Sequence, residues 1–67
     1  MKRELIIKGT IEAAGGGFLV QVDVELPTAR EGVVGSGRTR SGVAAADGTT
    51  DALVAALQDL IRTIQRG

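Results

Sequence analysis

The hydrophobic period of this chain changes once. Up to Leu26 apolar residues return at every second position; after Thr49 they return every three or four. The first period belongs to half-buried strands and the second to a helix with one apolar side. A chain that switches once, near Asp47, asks for a sheet followed by a helix. From Asp47 to Arg66, Val54, Leu57, Leu60, Ile61 and Ile64 define the stripe expected to be buried, widened by Leu53 and Ala56. Asp51, Ala55, Gln58, Asp59, Arg62, Thr63, Gln65 and Arg66 fall mostly on the other side. Thr49 or Thr50 is the expected N-cap, its hydroxyl accepting from a first-turn amide. Asp51 then lies near the positive end of the helix dipole and Arg62 and Arg66 near the negative end. Asp59 and Arg62 are spaced to pair along the helix.

Before the helix, Glu4 to Ala13 alternates, with Leu5, Ile7, Gly9, Ile11 and Ala13 on one face. Ala14-Gly15-Gly16-Gly17 is a turn. Phe18, Val20, Val22, Val24 and Leu26 then alternate with Leu19, Gln21, Asp23 and Glu25. A hairpin pairing Ala13 with Phe18, Ile11 with Val20, Gly9 with Val22 and Ile7 with Val24 brings apolar residues together. The same register sets Lys8 opposite Asp23. Pro27, with no amide to offer a ladder, is expected to end the second strand. Residues 28–42 are less regular. A third strand is expected to begin near Arg38 and close at Val43-Ala44-Ala45, with a short arm built on Val33-Val34 as the variant. The layered solution is α+β: a three-stranded antiparallel sheet covered on one face by a single C-terminal helix (βββα), as one domain over residues 1–67.

Sixty-seven residues make a small core, and chains of this size often rely on disulfides, metals or oligomerisation. There is no cysteine and no histidine, which removes the first and strips the second of its usual ligands. Association is what remains, and a homodimer or larger homo-oligomer is expected. Eight acidic residues balance eight basic ones, so nucleic acid and anionic membrane are not the expected partners. Phe18 is the one aromatic residue, too few for a base-stacking platform. No apolar run approaches a membrane span and no signal peptide is visible, so a cytoplasmic location is the expectation.

The missing residue types also bear on chemistry. Without histidine or cysteine the common acid–base and nucleophilic groups are absent, and Glu4, Glu12, Asp23 and Glu25 sit on a solvated strand face. The reading is a non-enzyme, with no catalytic residue, metal ligand or cofactor. Two stretches could hold a ligand. In Gly35-Ser36-Gly37-Arg38-Thr39-Arg40-Ser41-Gly42, glycines admit close approach, Ser41 can donate, and Arg38 and Arg40 can grip an anion, against the plainer reading of a solvated polar loop. In Gly48-Thr49-Thr50-Asp51 the helix entry offers free amides and hydroxyls, against the plainer reading of capping. Asp47 and Asp51 there would repel an anion and suit an ammonium group.

Asp47-Gly48-Thr49-Thr50-Asp51-Ala52, followed by Leu53 and Ala55-Ala56-Leu57, resembles the entry to the helix in the regulatory (leucine-binding) domain of isopropylmalate and citramalate synthases. That family carries a Gly-Asx/Asp-Gly-Pro-Val-Asp-Ala type run there, in strand-strand-strand-helix units; Thr49 stands where it has proline. The motif covers about a third of the chain and element order the rest. The resemblance implies a free-standing regulatory module whose copies pair, with a small amino acid or keto acid between helix starts and strands. The element order is also similar to double-stranded RNA-binding domains, although their first helix is lacking and Thr49-Thr50-Asp51 replaces their lysines. The expected function is a non-catalytic, self-associating binding or regulatory module for an amino-acid-like or anionic ligand or a protein partner. The alternatives are an RNA-binding module using Arg30, Arg38 and Arg40, or a small inhibitor or sequestering protein.

Overall fold

A computed structural model describes residues 4–30 and 33–66, with the backbone alone over 27–30 and 33–37. Met1 to Arg3 and Gly67, expected as a basic start and a helix stop, lie outside the described residues. Three strands precede one helix: β1 (Ile6–Ala14), β2 (Gly17–Arg30), β3 (Val33–Ala46) and α1 (Thr49–Arg66). The strands form an antiparallel sheet in the order β1-β2-β3.

The first hairpin has the register that alternation demands. Ile7 pairs with Val24, Gly9 with Val22, Ile11 with Val20, Ala13 with Phe18, and Lys8 stands opposite Asp23. The turn is tighter than four residues, because Ala14 and Gly17 still pair. Only Gly15 and Gly16 lie between them, with φ of 57° and 83°. Two successive positive φ values make the hairpin turn whose twist matches that of the flanking strands, and glycine enters it without strain.

Pro27 does not end β2, which continues to Arg30. The ladder accommodates it with an irregularity instead. Leu26 pairs with Arg38, but Thr28 pairs with Gly35, so Ser36 and Gly37 oppose the single Pro27. Such a bulge drops a ladder bond at the residue that has no amide to give. β1 has run out by this point, its last partner on β2 being Glu25. The arm variant is therefore the one adopted: Val33 and Val34 pair with Arg30 and Ala29. β3 begins at Val33 rather than near Arg38.

The helix starts one residue earlier than a threonine cap would place it. The Ala52 amide donates to the Gly48 carbonyl at 2.9 Å, which makes Gly48 the N-cap and puts Thr49 and Thr50 inside the first turn. Among the described side chains the core is six residues: Val20, Val22 and Val24 of β2 beneath Ala52, Ala56 and Leu60 of α1. Phe18, Leu26, Ala44 and Ala46 pack against it, half-buried.

The buried side of α1 is only partly the expected one: Ala56 and Leu60 are buried as the stripe requires. Val54, Leu57, Ile61 and Ile64 are exposed, as is Leu53. Ala55, Asp59 and Thr63, expected to face solvent, are half-buried. Two features of β3 turn the helix this way. Gly42 lies so close beneath it that a Cβ there would stand 2.3 Å from the Ala56 carbonyl oxygen and 2.4 Å from the Leu60 amide nitrogen. Only small residues allow backbones to approach like this, which selects Ala52 and Ala56 for the contact. The Asp59 carboxylate then accepts a hydrogen bond from the Val43 amide at 3.0 Å, which draws the helix over the outer edge of β3. α1 therefore packs mainly on β3, then β2.

Candidate functional site

Displacement of α1 toward β3 leaves β1 bare. Cross-strand partners share a face, so Ile7 and Ile11 lie on the same side as the buried Val24 and Val20. Yet they are 58% and 54% exposed. Beside them rises the apolar flank of the helix, Leu53, Leu57 and Ile64. The result is an L-shaped corner, with β1 as its floor and the side of α1 as its wall. At its inner end, a cleft of about 290 Å³ is lined by Gly9, Ile11, Val20, Val22, Thr49, Thr50 and Leu53. Gly9 keeps the floor low at that point.

The expected ligand-binding residues do not form one site. The stretch 35–42 is a strand, not a loop. From Arg38 onward its side chains therefore alternate between faces. Arg38 and Arg40 pair with Leu26 and Val24 and share the helix-side face; Ser41 pairs with Asp23 on the other. Arg40 is half-buried and Arg38 exposed. The side chain of Arg30 lies outside the described residues. Gly48, Thr49, Thr50 and Asp51 sit at the start of α1, whose 18 residues run roughly 27 Å to its far end. Of all the candidates, only Thr49 and Thr50 enter the cleft. Asp51 is exposed in the first turn. Sequence reasoning missed Ile7, Ile11 and Leu53 as site residues, because an apolar residue with the correct period reads as core.

The opposite sheet face carries a polar cluster. Asp23 Oδ1 accepts from the Ser41 hydroxyl at 2.5 Å and from Gln21 Nε2 at 3.1 Å. The Ser41 hydrogen bond first, and Gln21 second, hold its carboxyl below the ordinary aspartate value of 3.8. Lys8 is its cross-strand neighbour, but these two neutral donors are its hydrogen-bond partners. On α1, Arg62 lies 3.6 Å from Asp59, a contact exposed to solvent. Such a pair contributes little to stability; the bond from Asp59 to Val43 matters more for position. Among the described residues there is no group of three or more potential metal-ligating side chains. No helix there is long and apolar enough to cross a membrane.

No protein-family model, curated protein or solved structure matches this chain.

Proposed function

We propose that this chain is a non-catalytic, self-associating binding module. One observation carries the reading: an apolar corner, made by β1 and the flank of α1, is left half-exposed in a domain whose core is six residues. Contiguous exposed apolar surface of this kind marks a site of association. The lack of histidine and cysteine supports the non-catalytic part. The cleft at the inner end of the corner, mostly apolar with Thr10, Thr49 and Thr50 among its lining residues, suits a small molecule with an aliphatic body and one polar end. An amino acid or keto acid of branched aliphatic type has that form.

Light scattering across a concentration series tests the association. The expected mass is at least twice the 6.9 kDa of one chain, and a constant single-chain mass would refute it. Calorimetric titration with aliphatic amino acids and their keto acids tests the ligand, with loss of heat in Thr50→Val as the control.

A further inference from the structure

We infer that two copies join face to face through the open corner, α1 of each lying on β1 of the other. The two helices then run side by side and parallel in one layer between two sheets. This rests on the self-association proposed above and specifies its geometry.

The apolar arc of the helix is the first argument. At about 100° per residue, Ala52, Ala56 and Leu60 face the home sheet. Measured from the middle of that face, Leu53, Ile64 and Leu57 lie about 60–100° further round, and Ile61 and Val54 about 140–160°, on the near shoulder of the crown whose far side carries Gln58 and Gln65. Ile61 is 52% exposed and Val54 47%. A helix that meets only its own sheet needs one apolar side. This one continues its apolar arc from the home sheet over the flank and onto the near half of the crown.

The second argument is self-complementarity. The flank lacks a neighbouring helix, the crown lacks a sheet above it, and the floor of β1 lacks a helix. One further copy of this chain supplies all three, and receives the same three in return, as a two-fold interface requires. The helix on the β1 floor would stand about 10 Å from the first, the ordinary distance between packed helices.

The third argument is area. The chain exposes 5271 Å². A compact chain of 6.9 kDa exposes roughly 4,000 Å². The excess is more than the about 800 Å² per partner that a standard interface covers. Part of it belongs to the β2–β3 arm beyond β1, and part to the open corner.

Pairing of two β1 edges into one six-stranded sheet is the competing arrangement. It would hold the helices about four strand spacings apart, roughly 19 Å. Both crowns would stay in water, and a trough would remain open between the flanks. The exposed Ile61 and Val54 favour the face-to-face form. Symmetry then fixes direction: a two-fold axis that keeps both helices in one layer must run along them, so they point the same way. Leu53 meets its own counterpart, and so does Ile64.

The chain has no cysteine, so Leu53→Cys and Ile64→Cys each introduce a single thiol at an exposed position. A disulfide needs Cα atoms within about 7 Å, which side-by-side helices allow and helices 19 Å apart do not. The two variants are oxidised separately and as a mixture, with mass and circular dichroism checked under reducing conditions. The expected result is a reduced, folded dimer in which each variant cross-links to itself. A dimer that cross-links only in the mixture has antiparallel helices, which overturns the arrangement. A dimer that forms no cross-link overturns it in favour of another surface, leaving self-association in place. A monomer at every concentration overturns both.

Discussion

A single hydrogen atom in place of a methyl group at position 42 sets where the helix lies. A Cβ on Gly42 would be driven into the backbone of Ala56 and Leu60, and backbone cannot swing aside as a flexible side chain can. Gly42→Ala should therefore lift α1 from β3 at a cost of about 3 kcal/mol, the upper part of the range for overpacking. Urea unfolding measures it, and an effect within 0.5 kcal/mol, about that of a surface change, would show that the close approach is not real. Asp23 acts differently, since its partners favour the charged form. A carboxyl whose folded pKa lies below its unfolded value stabilises the fold above that unfolded value, and the contribution is lost as pH falls through the folded pKa. For Asp23 that window lies below 3.8. Ser41→Ala should move the Asp23 midpoint up toward 3.8, read by NMR titration of the side-chain carboxyl. An unmoved midpoint would mean that the Ser41 hydroxyl is not its main partner.

At the scale of elements, the rotation of α1 separates two leucines that sequence alone treats alike. Leu60 is buried and Leu57 is 39% exposed. Leu60→Ala should cost about 2–5 kcal/mol. Leu57→Ala should cost less than about 1 kcal/mol in dilute solution and more as concentration rises, if that flank is an interface. Denaturant titrations at two protein concentrations separate the cases. The register of the first hairpin was legible because two constraints agree on it: the glycines place the turn and the valines fix the faces; the turn itself is two residues shorter than the four expected. The helix was legible as a helix, but not in its orientation. Period reports an apolar arc, and this arc is wider than one sheet can cover. Which part turns inward is decided by Gly42 and Asp59, through contacts distant in sequence. Pro27 misled for a related reason. Its missing amide ends a ladder only where no bulge can absorb it, and the bulge depends on Ser36 and Gly37 across the hairpin. Of the candidate site, Thr49 and Thr50 were legible as helix entry, whereas the bare floor of β1 follows from the helix having moved away.

For the molecule as a whole, a core of six residues among the described side chains leaves little margin. If folding and association are coupled, the melting temperature should rise with protein concentration. A thermal scan over a hundredfold dilution reads this, and an invariant midpoint would separate folding from association. The bond between Asp59 and the Val43 amide has a consequence at this scale too. A sheet with two open margins can recruit neighbours on both and grow without end. Here one margin is plugged by a side chain of the same chain, so lateral growth is blocked at that point and assembly is biased toward a closed, countable object rather than a fibre. Asp59→Ala would remove the plug; fast exchange of the Val43 amide, or filaments where the parent chain gives none, would be its signature.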